Sequence, residues 1–257
     1  MKTIPDKTRF HFRALIVLLG LLFIAITHLR ADVAQNLFQS ANEAYGKADY
    51  ETAIKLYQDS ITQGGASATV YYNLANAYYK QGNIGQSVLF YERALALRPG
   101  LAEARHNLQF VRHSSSLPPE SDLDSPIERL ASRLTLNEWG WLLGTTFWLS
   151  VFLVVFPKFS QKWGGVCRIF LTLSLAVLIV SIIGLTGAYP MTKRLVALSK
   201  ETPLRVSPLA DSTKAGYMAA GEMGSYSEMH MGYYLVTSQS GKQGWVAAND
   251  IGMVWAK

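Results

Sequence analysis

The chain reads as a multidomain membrane protein: an all-α array of helical repeats, two transmembrane helices, and a small all-β barrel towards its C-terminal end. Three observations predict this. The sequence matches itself after a shift of 34 residues, with Asn42 on Asn76, Tyr45 on Tyr79, Ala53 on Ser87, Tyr57 on Tyr91 and Asn73 on Asn107; such a period belongs to stacked helix-turn-helix units. Two uncharged runs, residues 139–156 and 169–189, are each long enough to cross a hydrocarbon core. Beyond Leu195 the pattern changes to short β-rich runs punctuated by glycine.

Composition agrees with this division. Only 16% of the 257 residues are charged and 49% are apolar, a balance that points to membrane segments rather than one oversized core. The net charge of +6 is unevenly placed. Residues 1–31 hold five basic side chains against one acidic, residues 32–112 hold seven of each, and residues 195–257 are balanced. The excess sits beside apolar stretches, where it orients a membrane protein, and not on a folded face as a nucleic-acid footprint would. The single cysteine, Cys167, allows neither a disulfide framework nor a Cys-based zinc site.

In chain order, Lys2, Lys7, Arg9 and Arg13 precede an apolar run over 14–26, so residues 1–31 read as a cleaved signal peptide or an uncleaved signal anchor. Residues 32–113 read as helical. Gly82 stands where a helix ends and Pro99 where the next one stops. Ala75, Ser87 and Ala94 let paired helices approach, while Leu74, Tyr78 and Tyr91 fill the space between them. In the unit before it, Ala48 replaces the turn glycine, Ser60 a small alanine and Gly64-Gly65 the proline. A lone helix from Ala102 to Arg112 caps the stack. Residues 114–126, with Ser114-Ser115-Ser116 and Pro118-Pro119, are a linker.

Residues 127–135 place Ile127, Leu130, Ala131 and Leu134 at helical spacing, an amphipathic helix for the bilayer surface. Thr135 to Glu138 forms a capping box for a transmembrane helix over 136–157. A loop over 158–168 carries Lys158, Lys162 and Arg168 and no acid, and a second transmembrane helix covers 169–190. The acidic flank before the first span and the basic loop between the spans put that loop in the cytoplasm, with the repeats and the tail both outside; Lys193 and Arg194 argue against this. Residues 195–257 contain the strand-like runs of the barrel.

The small-aromatic-Gly-Ala-aromatic-Ala-Pro pattern of the second unit resembles the tetratricopeptide repeat. Leu204-Arg205-Val206-Ser207-Pro208, Gly221-Glu222 and Gly241-Lys242-Gln243-Gly244-Trp245-Val246 resemble the bacterial SH3-type domain. The order of parts (export signal, tetratricopeptide pair, two close spans, SH3-like tail) is similar to the BatE family of the Bacteroides aerotolerance operon. That resemblance implies a place in the cell envelope, where the charge pattern above puts the repeats and the tail on the periplasmic side of the cytoplasmic (inner) membrane. It also implies partnership with von Willebrand A-type and other tetratricopeptide Bat proteins, in a complex linked to stress or oxygen tolerance.

The candidate site follows from the repeat. The first helix of each unit lines a groove, where Asn42 and Asn76 share one repeat position and Asn73 and Asn107 another. A carboxamide donates and accepts, so a ladder of them suits the main chain of an extended peptide. Phe38 and Tyr72 also recur at 34 and add apolar contact. The competing reading is that the asparagines cap turns or satisfy neighbouring helices. No basic residue stands ready to clamp a terminal carboxylate.

Met218, Met223, Met229, His230 and Met231 contain soft-metal ligands. The alternative is that the methionines fill the core of a small barrel. No Ser-His-Asp set, phosphate loop or His-Glu-x-x-His motif occurs, and neither apolar run, 139–156 or 169–189, contains an acid or base. The expectation is a non-enzymatic scaffold without a cofactor, binding envelope proteins through the repeats. A cell-wall module whose tail binds peptidoglycan is the alternative.

Overall fold

A computed structural model describes residues 30–118, 126–158 and 164–255, with the side chains of Glu128, Arg129 and Met191 undescribed. The signal or anchor expected over 1–31 lies almost wholly outside the described residues, as do much of the linker and the middle of the loop between the apolar helices.

Five helices open the chain: α1 (30–46), α2 (Tyr50–Gly64), α3 (Ala68–Lys80), α4 (Ile84–Leu97) and α5 (Ala102–Ser114). Their starts are set locally. Asp49, Ser67 and Asn83 each accept a backbone N–H in the first turn of α2, α3 and α4, satisfying donors that a helix N-terminus leaves free. The two inter-helix turns match across the repeat. Gly82 has φ 83° and Ala48, 34 residues earlier, φ 59°, so the first turn holds an alanine in the left-handed region that its counterpart gives to glycine. Ala53, Tyr57, Leu74, Ala75, Tyr91 and Ala94 are buried between the helices. Small side chains bring the helix axes together and the tyrosines fill what remains.

Next come α6 (Pro126–Ala131), α7 (Leu136–Val155) and α8 (Gly164–Ala188). Thr135 and Glu138 form a reciprocal capping box at the start of α7. The helix α7 with the 3-10 turn that extends it, and α8, are long and apolar enough to cross a membrane; α8 begins earlier than residue 169, taking in much of the basic loop. They pack along a seven-residue repeat. Trp139, Thr146 and Leu153 of α7 are buried, as are Cys167, Ser174, Ser181 and Ala188 of α8. A seven-residue period is the one on which helices that coil around each other pack. Ser150 and Ser174 hydroxyls hydrogen-bond at 2.8 Å across that seam, and Ser174 also donates to the Thr146 carbonyl at 3.1 Å. Outward-facing Trp141, Trp148, Phe152, Ile169, Phe170 and Leu173 are exposed. At the far end Trp139 donates Nε1–H to the Ala131 carbonyl at 3.0 Å, and Ile127 and Ala131 of α6 lie against Gly187. The short helix is thus packed on the end of the helical hairpin.

A 3-10 turn, Pro190–Lys193, leads into seven strands: β1 (Arg194–Ala197), β2 (Glu201–Arg205), β3 (Lys214–Ala219), β4 (Met223–His230), β5 (Tyr233–Ser238), β6 (Gln243–Ala247) and β7 (Ile251–Met253). They form one antiparallel sheet in the order β3-β2-β6-β5-β4-β1-β7. Leu195, Ala197, Leu204, Met218, Val236, Val246 and Ile251 are its buried core. Met218 and Met223 are buried, whereas Met229 and Met231 face solvent, so the expectation that methionine fills the core holds for the first pair only. Exposed His230 stands between the second pair, and the five side chains considered for a soft metal are divided between core and surface.

The repeats and the sheet share a core. Val196, Met223 and Val254 pack in the same cluster as Leu74, Val88, Leu89 and Tyr91. The outer side of α4 supplies the contact. Gly85 lies against the backbone of Ala197 and Leu198, Gly252 against Leu89, and Gly221 (φ 85°) against Val88, Ile84 and Leu117. Polar ties cross the seam: Arg93 donates through Nε (3.0 Å) and Nη2 (2.8 Å) to the Met253 carbonyl, and Arg112 donates through Nη2 to Gln239 Oε1 at 2.6 Å. Arg93 also stacks over Phe90 and Tyr71; burial holds its pKa below the usual value. A guanidinium that gives up water for a carbonyl and two ring faces belongs to a fixed interface.

Candidate functional site on the α1, α3 and α5 face

With the outer side of α4 covered by the sheet, the opposite face of the array, formed by α1, α3 and α5, is left uncovered by the described residues. The six candidate residues lie there. Asn42 and Phe38 are on α1, Tyr72, Asn73 and Asn76 on α3, and Asn107 on α5. Asn42 is exposed and the other five are half-buried.

The asparagines form two copies of one arrangement. Asn42 Oδ1 accepts the Tyr57 hydroxyl at 2.6 Å and Asn73 Nδ2–H at 3.0 Å. One repeat later Asn76 Oδ1 accepts the Tyr91 hydroxyl and Asn107 Nδ2–H, the latter at 3.0 Å. Asn107 Nδ2 also donates to the Tyr72 hydroxyl at 3.2 Å. Each Oδ1 therefore ties a tyrosine of its own unit to an asparagine of the next. Half of the expected ladder is thus spent inside the fold, as the competing reading held. The remaining half is not: among the described residues no hydrogen bond engages Asn42 Nδ2, Asn76 Nδ2 or the Oδ1 atoms of Asn73 and Asn107. Donors and acceptors alternate across the face, held in position by their paired ends.

Burial pushes the Tyr57 phenol up to about 12, with the hydrogen bond from the Asn73 side acting the other way. Tyr91 is raised for the same reason. Both therefore stay protonated and keep donating at any physiological pH, which fixes the orientation of Asn42 and Asn76.

Aromatic residues flank the asparagines. Phe38 packs on Tyr57 with ring centroids 6.0 Å apart, and Tyr72 on Tyr91 at 6.1 Å, again one repeat apart. Tyr79 and Phe110 meet edge to face at 5.9 Å. Phe110 is 57% exposed and lies one turn beyond Asn107, so it extends the face; sequence reasoning omitted it. The signal was present, because Ala104, Leu108 and Val111 make the buried stripe of α5 and Phe110 lies off that stripe. Among the described residues no three of His, Cys, Asp and Glu gather where a metal could bind.

The surroundings of this face match a known repeat. The tetratricopeptide repeat family model matches residues 68–101, which cover α3, α4 and the turn between them. Among solved structures the chain is similar to the tetratricopeptide domain of Arabidopsis OM64, at 22% identity over 34% of this chain and 72% of that one, with a TM-score of 0.33. It is also similar to the Sgt2 tetratricopeptide domain of Aspergillus fumigatus, at 22% identity over 39% of this chain and 63% of that one, with a TM-score of 0.32. Residues 68–101 are a tetratricopeptide repeat, a type of unit that serves in general to bind other proteins.

Proposed function

We propose that this chain is a non-enzymatic scaffold of the bacterial cell envelope, anchored by α7 and α8 in the cytoplasmic membrane. Its α1, α3 and α5 face holds an extended segment of a partner protein. The observation that carries this reading is the half-used asparagine ladder: paired ends fix each carboxamide, and the free ends face outward at a repeating interval. An extended main chain offers N–H and C=O groups that such ends can meet with little dependence on sequence. Aromatic side chains beside them supply the apolar contact on which affinity concentrates.

Two features favour a common side for the repeats and the tail. α7 and α8 pair as a hairpin, and the sheet after α8 packs on the repeats before α7. The basic loop between the helices favours the cytoplasm for the hairpin's bend, which leaves both soluble parts in the periplasm. The tail is then an SH3-like module fixed to the repeats. On the resemblance to the BatE family, the partners are von Willebrand A-type and tetratricopeptide Bat proteins, in a complex serving aerotolerance.

Photocrosslinking tests the groove. A photoreactive phenylalanine analogue replaces Phe110 in the full chain in growing cells, with Leu97, exposed at the end of α4, as the comparison site. Capture of an envelope protein from position 110, weakened by Asn73→Ala with Asn107→Ala, is expected. Equal capture from both sites, or capture indifferent to the double substitution in a protein that still folds, removes the groove from the account.

A further inference from the structure

The β4–β5 hairpin turns back towards the apolar helices. β1 begins at Arg194, six residues after Ala188 at the end of α8, a path of about 12 Å at the rise of the 3-10 turn that fills most of it. β4 lies antiparallel to β1, with Met223 opposite Val196 and Ser225 opposite Arg194. Its remaining residues therefore run back past the start of β1, and β4 is in contact with Pro190–Lys193. β4 and β5 remain paired to the tip, Met229 with Tyr234 and His230 with Tyr233. From Ser225 to the turn at Met231-Gly232 is about 20 Å of strand. Running beside Pro190–Lys193, that length of strand is enough to bring the tip level with the last turns of α8.

Its composition suits that place. Met229 is 65% and Met231 75% exposed, and Tyr233 follows the turn. Met231 has φ 48° and Gly232 φ 78°, a two-residue turn whose first position normally takes asparagine or aspartate. A methionine there accepts left-handed strain while contributing little to the core, so its side chain is placed for something outside the fold. Lys193 and Arg194 lie beside the same end of the sheet, and exposed Glu228 stands three residues before the turn, which limits the apolar segment to the tip.

We propose that this tip enters the headgroup–acyl boundary of the bilayer that α7 and α8 cross, on the side carrying the repeats, as a shallow anchor. It rests on the reading of α7 and α8 as spans. Met229 and Met231 bury their thioether chains among the upper acyl carbons, Tyr233 sits at headgroup depth, and Lys193 and Arg194 meet lipid phosphates. The sheet is thereby held at a set tilt, and the repeats packed on it present their open face at a fixed angle to the membrane.

The test uses the full chain in vesicles of phosphatidylethanolamine and phosphatidylglycerol, carrying Cys167→Ser and one labelled cysteine: Met231→Cys, Met229→Cys, Gln243→Cys at the start of β6, opposite Thr237 at the far end of the hairpin, or Phe147→Cys on the outward side of α7. An environment-sensitive fluorophore at 231 and 229 is expected to be quenched at least about twofold more by lipids spin-labelled near the headgroup than the same fluorophore at 243, and to be shielded from aqueous iodide. Position 147 should respond to spin labels deep in the acyl chains. Iodide quenching at 231 and 229 equal to that at 243, with 147 still in the acyl region, overturns the anchor and leaves the spans standing. An aqueous response at 147 overturns the spans and the anchor with them.

Discussion

Gly85→Ala probes the seam between repeats and sheet through the sign of its effect. Gly85 is the second residue of α4, after the Asn83 cap. A Cβ added there would stand 2.5 Å from the Leu198 carbonyl oxygen, 2.8 Å from that of Ala197 and 2.8 Å from Leu198 Cα. All three are backbone atoms, so no side chain can swing aside. Restoring ordinary contact moves α4 off the sheet by about 1 Å, and Val88 and Leu89, on the next turn, withdraw from Gly221 and Gly252. Overpacking of this kind costs about 1–3 kcal/mol, which for a chain of this size corresponds to a fall of roughly 2–12 °C in the unfolding midpoint. On an uncovered helix the same change would add up to about 1 kcal/mol, since alanine outranks glycine in helix propensity. Calorimetry of the purified protein in detergent, with amide exchange of Val196 and Gly252 as a local readout, separates the outcomes. A midpoint that rises, with unchanged exchange in β1 and β7, refutes the packing of α4 on the sheet.

Three further outcomes follow from particular contacts. Ala48→Gly relieves a left-handed alanine at an exposed turn and should raise stability by about 0.5–1 kcal/mol in urea titration, whereas a loss would mean that the turn does not hold this conformation. Tyr57 titrates at about 12 in the fold against 10.0 when unperturbed; the folded chain therefore keeps a proton that the unfolded chain releases, and the associated stability, whole below pH 10, is lost as pH rises towards 12. Unfolding midpoints at pH 8 and pH 11 should diverge less in Tyr57→Phe, and an identical slope in that variant would discount the phenol. Ser174→Ala removes the 2.8 Å and 3.1 Å hydrogen bonds to α7 and should weaken the helical hairpin by about 0.6 kcal/mol, to a ceiling of roughly 1.7 kcal/mol, in micelle unfolding; no change would place the pairing elsewhere.

The helical array was legible because its determinants are local and repeat in phase. Tyr57 and Tyr91, Asn42 and Asn76, and the paired turns at Ala48 and Gly82 each occupy equivalent places, so the period alone aligns them. The two apolar helices announce themselves by length and lack of charge. The sheet was only partly readable. β2, β5, β6 and β7 contain Leu204, Val236, Val246 and Ile251 at their buried positions, but β3 has one buried side chain, Met218, and β4 buries Met223 and Gly224 and then leaves five of its last six residues exposed. A strand that faces solvent on both sides has no alternation to detect. The seam was hidden because it depends on which surfaces meet. Its trace is Ser87-Val88-Leu89-Phe90-Tyr91-Glu92, six consecutive buried residues on one helix, which require two covered faces where a lone repeat covers one. The asparagine ladder was visible by position, yet only geometry shows that the tyrosines occupy one half of each carboxamide.

The placement of both soluble parts on one side of the membrane is tested most directly by labelling single cysteines in intact spheroplasts with a membrane-impermeant maleimide, in the Cys167→Ser background. Gln109→Cys on α5 and Gln243→Cys on β6, both exposed, should react to the same extent before lysis, while Lys158→Cys at the bend between α7 and α8 should react only after it. Reaction of position 109 or 243 only after lysis would contradict the account.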